Sequence, residues 1–152
     1  MSVDNLMATY NGEPYIRNQL LSLMQQTYED WILWIRDDGS TDDTMSILRK
    51  FAAIDGRIKI VEENVGQRMG PGRNFMSLIK HSENDFVAFC DQDDIWFEKK
   101  LEIMVDFAEK NFNADIPCLV YCDGYGYSDA NGIITIGVIS RYHAKNLKEY
   151  IL

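Results

Sequence analysis

Short apolar runs alternate along this chain with longer segments whose apolar residues recur every three or four positions. The runs are Leu6–Ala8, Trp31–Ile35, Ile58–Val61, Phe86–Cys90 and Leu119–Cys122. Short, almost unbroken apolar runs are typical of strands covered on both faces, and the longer spacing is typical of helices packed on a sheet. Strands that alternate with helices are joined by right-handed crossovers. The pattern therefore predicts an α/β fold with a mainly parallel sheet flanked by helices.

The predicted helices follow from the apolar positions between these runs. Those positions are Ile16, Leu20, Leu23 and Met24; Ile47, Leu48 and Phe51; Phe75, Leu78 and Ile79; and Leu101, Met104, Val105 and Ala108. Pro14 suits the first turn of the first helix, which Asn11 can cap, and Ser40–Asp42 offers caps for the second. Asp4 and Asn5 weaken the first strand. After the fifth run, the sequence predicts a hairpin around residues 129–132 with 133–139 as its return strand.

Composition excludes several classes of protein. The 152 residues, 46% of them apolar, suffice for one globular domain, and no run approaches the ~20 apolar residues that cross a bilayer. A net charge of −9 argues against a nucleic-acid partner. The start lacks the pattern of a signal peptide, so we expect a cytoplasmic protein. The three cysteines, Cys90, Cys118 and Cys122, lack metal-site spacing and are expected to be small core residues.

Polar residues cluster where the predicted strands end. Tyr10–Gly12 follows the first strand, Asp37–Ser40 the second and Asp91–Asp94 the fourth. In open parallel sheets the ligand lies outside the carboxyl ends of the strands. We therefore expect these three clusters to meet in one site.

The acidic cluster at 91–94 has two interpretations. Asp91 and Asp93 lie two positions apart at a strand end and therefore point the same way, so they can share a divalent cation. Mg²⁺ and Mn²⁺ use one or two carboxylates together with substrate phosphate oxygens. Alternatively, Asp93 or Asp94 caps a helix that begins near Trp96.

Asp38, Tyr10 and Arg73 also have two interpretations each. Asp38 can form a hydrogen bond with a base or a ribose. Alternatively, it only belongs to an Asp-Gly turn. Tyr10 suits stacking on a nucleobase or simple core packing. Arg73, behind a glycine-rich turn, suits a phosphate or base contact at a helix start, or an exposed charge. Trp31, Trp34 and Phe89 lie inside strand patterns and are expected in the core.

Taken in order, several motifs resemble those of the family 2 glycosyltransferases. They are Met7–Gly12 with Tyr15–Ile16, Gln26–Tyr28, Asp37–Asp42, Asn64–Gly66, Arg73–Phe75 and Cys90–Trp96. Within that family the chain looks most like bacterial enzymes that build surface polysaccharides, rhamnosyltransferase-like members included. The resemblance covers residues 3–123 and is specific as an ordered set of motifs.

The resemblance implies a Rossmann-like GT-A fold and an inverting transferase. Its donor would be a nucleotide-diphospho-sugar, a UDP- or dTDP-sugar, with Mn²⁺ or Mg²⁺ as cofactor. The acceptor would be a glycan or lipid-linked glycan, which implies a cytoplasmic enzyme peripheral to the inner face of the membrane. The implied donor-binding residues are Thr9, Tyr10, Asn11, Asp38, Arg73, Asp91 and Gln92, and the implied metal ligands are Asp93 and Asp91.

The resemblance also marks what this chain does not match. Relatives continue beyond residue 152, and their later segment supplies the acceptor site and the catalytic base. Asp123 and Asp129 come too early to be that base. We therefore predict a fold that is incomplete at the C-terminus, with a donor-binding domain at 1–123 and, at 124–152, a hairpin with the truncated start of an acceptor-side segment. An apolar face made of Tyr142, Leu147, Tyr150 and Ile151 would favour a homodimer.

Two alternative functions differ in class. One is a donor-binding module without independent catalysis. The other is a receiver-like signalling domain, which also has an acidic α/β fold. Receivers carry their acidic pair after the first strand and a lysine after the fifth. Here the pair follows the second strand, and the fifth run ends at Asp123-Gly124.

Overall fold

Four parallel strands form the central sheet in the computed structural model, which describes residues 1–63, 67–113, 115–122, 124–128 and 132–133. They are β1 Val3–Thr9, β2 Trp31–Asp37, β3 Ile58–Ile60 and β4 Phe86–Asp91, in the order β3-β2-β1-β4. In register, Thr9 lies beside Asp37 and Ala8 beside Asp91. The polar residues that follow β1, β2 and β4 therefore emerge at one edge, and the predicted parallel α/β fold is confirmed.

Helices lie on both faces of this sheet. They are α1 Ile16–Met24, α2 Thr44–Ile54, α3 Pro71–Leu78 and α4 Lys100–Asn111, with a 3-10 turn at Ile79–His81 after α3. One face packs with apolar residues of α1, α2 and α4 in the larger core cluster, and the other packs under α3 in the smaller cluster with Leu6, Trp34, Val61, Phe75 and Leu78. Even-numbered positions of β2 and odd-numbered positions of β4 share the face of α3. Asp38 and Asp91 continue that alternation, so both lie on the face of α3.

β1 is longer than the sequence predicts, because Asp4 and Asn5 belong to it and are buried. The carboxylate of Asp4 accepts hydrogen bonds from Trp34 Nε1 at 2.9 Å, from Ser82 Oγ at 3.0 Å and from the Asn84 side chain at 2.9 Å. Buried charge is tolerated when it is hydrogen-bonded in this way. Burial alone would raise the pKa of Asp4, and these bonds together with backbone amides lower it below its usual value.

The predicted helix caps are only partly correct. α1 begins at Ile16 after Tyr15, so Asn11 does not cap it. α2 begins at Thr44 after Asp43, so the N-cap position falls one residue beyond the predicted Ser40–Asp42, and the Asp43 side chain makes no capping bond. Asp42 still contacts this helix end, because the Thr44 amide donates to its Oδ1 at 3.0 Å. α4 begins at Lys100 rather than near Trp96. Asp93 and Asp94 therefore lie in the connection before the helix, and the capping interpretation of those two residues is wrong.

Several of the aromatic residues and cysteines that the sequence predicts to be in the core are not buried. Trp31 and Cys90 are buried, but Phe89 is 57% exposed, Trp34 is half-buried and Cys122 is exposed. Phe89 points to the face of α3, where its ring meets Phe75 edge-on at 5.7 Å and is otherwise uncovered. Apolar character alone predicts a strand and not which of its faces is covered.

Contacts divide the chain into two units, residues 1–106 and 107–152. In the second unit the predicted fifth strand is wrong: residues 119–122 are irregular, and Leu119 is 59% exposed. A strand needs a hydrogen-bonded neighbour, and none of the described residues pairs with this run. Tyr127–Ser128 and Gly132–Ile133 do pair as antiparallel strands β5 and β6, as expected for the hairpin.

Several expectations lie outside the described residues. They concern Gly66, Asp123, Asp129, the return strand beyond Ile133 and the apolar face of Tyr142, Leu147, Tyr150 and Ile151. The division at residue 123 and the homodimer stay predictions. None of the helices in the described part of the chain is long and apolar enough to span a membrane.

Candidate functional site

A cavity of about 280 Å³ opens at the carboxyl edge of the sheet, on the face of α3. Its walls come from the ends of β1, β2 and β4 and from the start of α3. The lining residues are Ala8, Thr9, Tyr10, Asp38, Arg68, Gly70, Pro71, Asn74, Phe75, Asp91, Gln92 and Asp93. Of the residues proposed from the sequence, the cavity brings together Thr9, Tyr10, Asp38, Asp91, Gln92 and Asp93. Asn11 and Arg73 are exposed and are not among its lining residues.

Asp37 shapes the turn beside the cavity. Its Oδ1 accepts the Thr9 hydroxyl at 2.9 Å and the Ser40 hydroxyl at 2.5 Å, while its Oδ2 accepts the amides of Gly39 and Ser40. The hydroxyl of Thr9 is thus engaged with Asp37, and Thr9 is buried. Gly39 has a φ of 88°, a conformation that favours glycine. This turn therefore needs the Asp-Gly-Ser sequence for its own geometry.

Asn11 joins two of the loops at this edge. Its backbone has a φ of 47°, in the left-handed region that asparagine tolerates better than most residues. The Asn11 amide donates to Ser40 Oγ at 2.8 Å, and its side-chain oxygen accepts the Thr41 amide at 2.9 Å. Asn11 therefore holds the turn after β1 against the turn after β2.

Gln92 joins the ends of β1 and β4. Its Oε1 accepts the Tyr10 amide at 3.0 Å, and its Nε2 donates to the Tyr10 carbonyl at 3.1 Å. The β1–β4 ladder ends at the pair Ala8 and Asp91, so the side-chain amide of Gln92 extends the pairing by imitating a strand. A Cβ at Gly12 would lie 2.9 Å from Gln92 Cδ and closer still to Oε1, so Gly12 leaves the space that this contact needs.

Asp38 lies in a buried network that sequence reasoning missed. The guanidinium of Arg36 donates to Asp38 Oδ1 and to Asn74 Oδ1, each at 3.1 Å, and Asn74 Nδ2 donates to the Arg36 carbonyl. Burial alone would raise the pKa of Asp38, but hydrogen bonds from the amides of Met69 and Gly70 and from Arg36 lower it. Asp38 is therefore ionised. The available signal was an arginine directly after an apolar strand run, since arginine is rarely buried without a partner.

The acidic cluster has the electrostatics of a cation site. Partial burial raises the pKa of Asp91, and repulsion from Asp94 and Asp93 raises it further. A bound cation would remove this repulsion. Among the described residues, no three His, Cys, Asp or Glu side chains converge as a metal-binding group. Asp91 and Asp93 would therefore supply two carboxylates at most. This fits Mg²⁺ or Mn²⁺, which take their other ligands from phosphates and water.

The aromatic ring of Tyr10 is in contact with the guanidinium of Arg68. The guanidinium carbon of Arg68 lies 4.2 Å from the ring centroid, within the range of a cation–π contact. Tyr10 is half-buried and Arg68 is exposed. Arg68 thus lines the cavity from the loop before α3, whereas Arg73 belongs to α3 itself, is exposed and is not among the lining residues.

Comparison with known proteins gives consistent matches. The family model described as Glycosyl transferase family 2 matches residues 6–150. The dTDP-rhamnosyl transferase RfbG of Shigella flexneri is 38% identical over 125 residues, which cover 80% of this chain and 39% of that protein. The glucosyltransferase WfgD of Escherichia coli, named for a UDP-Glc donor and a GlcNAc-diphosphoundecaprenol acceptor, is 35% identical over 109 residues, which cover 72% of this chain and 42% of that protein. The chain thus spans about two fifths of the length of these curated relatives.

Solved structures agree in fold. S. aureus TarS 1-349 in complex with UDP-GlcNAc has a TM-score of 0.65 and 29% identity, over 72% of this chain and 32% of that chain. A mannosyltransferase from Pyrobaculum calidifontis in complex with GDP-Man and Mn²⁺ has a TM-score of 0.56 and 28% identity, over 62% of this chain and 28% of that chain.

Proposed function

Because this chain belongs to glycosyl transferase family 2, we propose that its cavity binds a UDP- or dTDP-sugar together with Mn²⁺ or Mg²⁺. The complete reaction would transfer the sugar with inversion to a glycan or lipid-linked glycan during bacterial cell-surface polysaccharide synthesis. The observation that carries the proposal is the convergence of Tyr10, Asp38, Asp91 and Asp93 on one cavity from three strand ends. Because the chain belongs to this family, the alternative of a receiver-like signalling domain is excluded.

The nucleoside would lie on the side of Tyr10 and Asp38. A base stacked on an aromatic side chain gains ~1–3 kcal/mol where such a contact forms. Asp38 is ionised and lines the cavity, so a free lone pair of its carboxylate can accept an N–H of the base. The buried Arg36 holds that carboxylate in place. This division gives Tyr10 the stacking role and Asp38 the hydrogen-bonding role.

The diphosphate would lie on the side of Asp91 and Asp93, which would hold the cation. When bound, that cation neutralises charge that develops on the leaving diphosphate. Gln92, between the two carboxylates, is bonded through its side chain to the Tyr10 backbone. Its proposed part in donor binding is therefore to fix the distance between the nucleoside side and the phosphate side of the cavity.

The catalytic base is not assigned. The carboxylates that line the cavity are Asp38, Asp91 and Asp93, and each has a donor-side role in this proposal. Removal of the acceptor proton by a positioned base typically contributes 10²- to 10⁴-fold to the rate, and in-line placement of the acceptor contributes further. We therefore expect these 152 residues to bind donor, hydrolyse it slowly and transfer little sugar. Robust transfer to a panel of glycan acceptors would contradict that expectation.

Calorimetric titration tests the donor site. UDP, dTDP and GDP are titrated into the chain with and without Mn²⁺. We expect UDP or dTDP, and not GDP alone, to bind with a Kd on the order of micromolar to millimolar, or roughly 4–8 kcal/mol, and to bind more weakly without the cation. Absence of binding by every nucleotide in the presence of Mn²⁺ would overturn the proposal. Binding together with no turnover in any longer form of the protein would favour a donor-binding module without catalysis.

A further inference from the structure

The loop of residues 67–70, before α3, is held to the end of β2 at three backbone atoms. Arg36 Nη2 donates to the Gln67 carbonyl at 2.9 Å. The Met69 amide donates to Asp38 Oδ1 at 2.7 Å, and the Gly70 amide donates to Asp38 Oδ2 at 2.8 Å. These are charge-assisted hydrogen bonds, which are shorter and stronger than neutral ones. Both residues that hold the loop are buried, so its path is fixed from within the fold.

Arg68 is the residue of this loop that lies between the fixed points. Its side chain is exposed, lines the cavity and lies over the ring of Tyr10 at 4.2 Å. The backbone on either side cannot turn away without breaking the bonds to Arg36 or Asp38. The loop therefore presents the guanidinium of Arg68 to the cavity.

The charges of the residues that line the cavity indicate what Arg68 can do there. The lining contains three carboxylates, Asp38, Asp91 and Asp93, and among the described residues that line it Arg68 is the one cation. The whole chain has a net charge of −9. A ligand with a diphosphate group meets repulsion here unless positive charge is supplied locally. A divalent cation between Asp91 and Asp93 would offset one part of that repulsion, and Arg68 is placed to offset another.

We propose that Arg68 binds the diphosphate of the donor, and that the hydrogen bonds from Arg36 and Asp38 to the 67–70 loop position it for this role. The inference rests on the proposed function and deepens it. A guanidinium matches phosphate oxygens with two parallel N–H bonds. Such bonds are stronger than an exposed cation–π contact, so Arg68 exchanges the face of Tyr10 for the diphosphate as the base arrives.

Variants of Arg68 test the proposal, with UDP, uridine and inorganic pyrophosphate as probes. Arg68→Ala should weaken the binding of UDP and of pyrophosphate, both with Mn²⁺, by roughly tenfold or more, which is the loss of one hydrogen bond between charged groups. It should leave uridine binding unchanged or tighter, because uridine has no phosphate and the ring of Tyr10 becomes free. Arg68→Lys should restore part of the lost affinity. Arg49→Ala, at an exposed site on α2, is the matched control and should change nothing.

The outcomes distinguish a failure of the proposed function from a failure of the inference about Arg68. If the unaltered chain binds neither nucleotide nor pyrophosphate, the proposed function fails and this inference fails with it. If the unaltered chain binds UDP and Arg68→Ala binds it equally well, only the inference fails. A loss for uridine as large as the loss for UDP would also overturn it, because Arg68 would then recognise the base. Circular dichroism confirms that the exposed substitution leaves the fold intact.

Discussion

Gly12→Ala probes the junction between the two halves of the cavity. A Cβ at position 12 would lie 2.9 Å from Gln92 Cδ and closer to Oε1, which real Cβ contacts essentially never show. Gly12 cannot move away easily, because it is buried and its amide donates to Thr44 Oγ1 at 2.8 Å. The flexible side chain of Gln92 must therefore move instead. Its movement breaks both hydrogen bonds to the Tyr10 backbone.

The magnitude follows from those two bonds. A typical intramolecular hydrogen bond contributes about 0.5–1.5 kcal/mol net, so the loss of both lowers the free energy of unfolding by about 1–3 kcal/mol. Gly12 does not have the positive φ that would add backbone strain. Nucleotide affinity should fall as well, since Tyr10 is no longer fixed relative to Asp91 and Asp93.

A double-mutant cycle with Gln92→Ala isolates this cause. Urea unfolding of the unaltered chain, both single variants and the double variant gives the four free energies that the cycle needs. Gln92→Ala should itself cost about 1–3 kcal/mol, and Gly12→Ala should then cost less than about 0.5 kcal/mol in that background. Gly56→Ala is the matched control, because a Cβ there meets nothing within 4 Å. Additive losses for Gly12 and Gln92 would refute the reasoning.

Three further substitutions have defined expectations. Asp93→Asn should weaken Mn²⁺-dependent UDP binding at least tenfold, or about 1.4 kcal/mol, and leave folding unharmed; calorimetry with unchanged affinity would remove Asp93 from the metal site. Asp38→Ala should weaken both UDP and pyrophosphate, since it both faces the cavity and holds the 67–70 loop; a loss confined to UDP would show that the loop is held without it. Asp4→Asn should lower the free energy of unfolding at pH 6 by about 1.5–3 kcal/mol. The folded pKa of Asp4 is lowered, so its contribution is complete above the unfolded value of about 4 and is lost as the pH falls through the folded value. Urea unfolding that shows an equal deficit at pH 6 and pH 2.5 would contradict the role of Asp4.

The fold was predictable because its strands carry a local signal. β2 and β4 are almost unbroken apolar runs, and strands that alternate with helical crossovers are expected to pair in parallel. The run at Leu119 carries the same signal without a paired neighbour. Asp4 carries the opposite signal and is nevertheless in a strand, because Trp34 and Asn84 satisfy its carboxylate. Local pattern thus predicts strand propensity, and tertiary partners decide the outcome.

The candidate site was predictable in its location more than in its contacts. Parallel strands bring their carboxyl ends to one edge, so the order of strands in the sequence is enough to place Tyr10, Asp38 and Asp91 near one another. The contact of Gln92 with the Tyr10 backbone was not predictable, because the edge rule gives the location of strand ends and not the hydrogen bonds of individual side chains. The sequence predicts Arg73 as the donor-binding arginine and does not single out Arg68. The structure distinguishes the two arginines, because Arg68 lines the cavity and lies over the ring of Tyr10 on a loop bonded to Arg36 and Asp38.

The position of the bound cation tests the central claim most directly. Crystals of the chain grown with UDP and Mn²⁺ allow an anomalous difference map at the manganese edge. The account predicts one strong peak within about 2.0–2.3 Å of carboxylate oxygens of Asp93 or Asp91, with the base beside Tyr10 and Asp38. A well-ordered nucleotide bound away from these residues, or a manganese peak on other carboxylates, would contradict it.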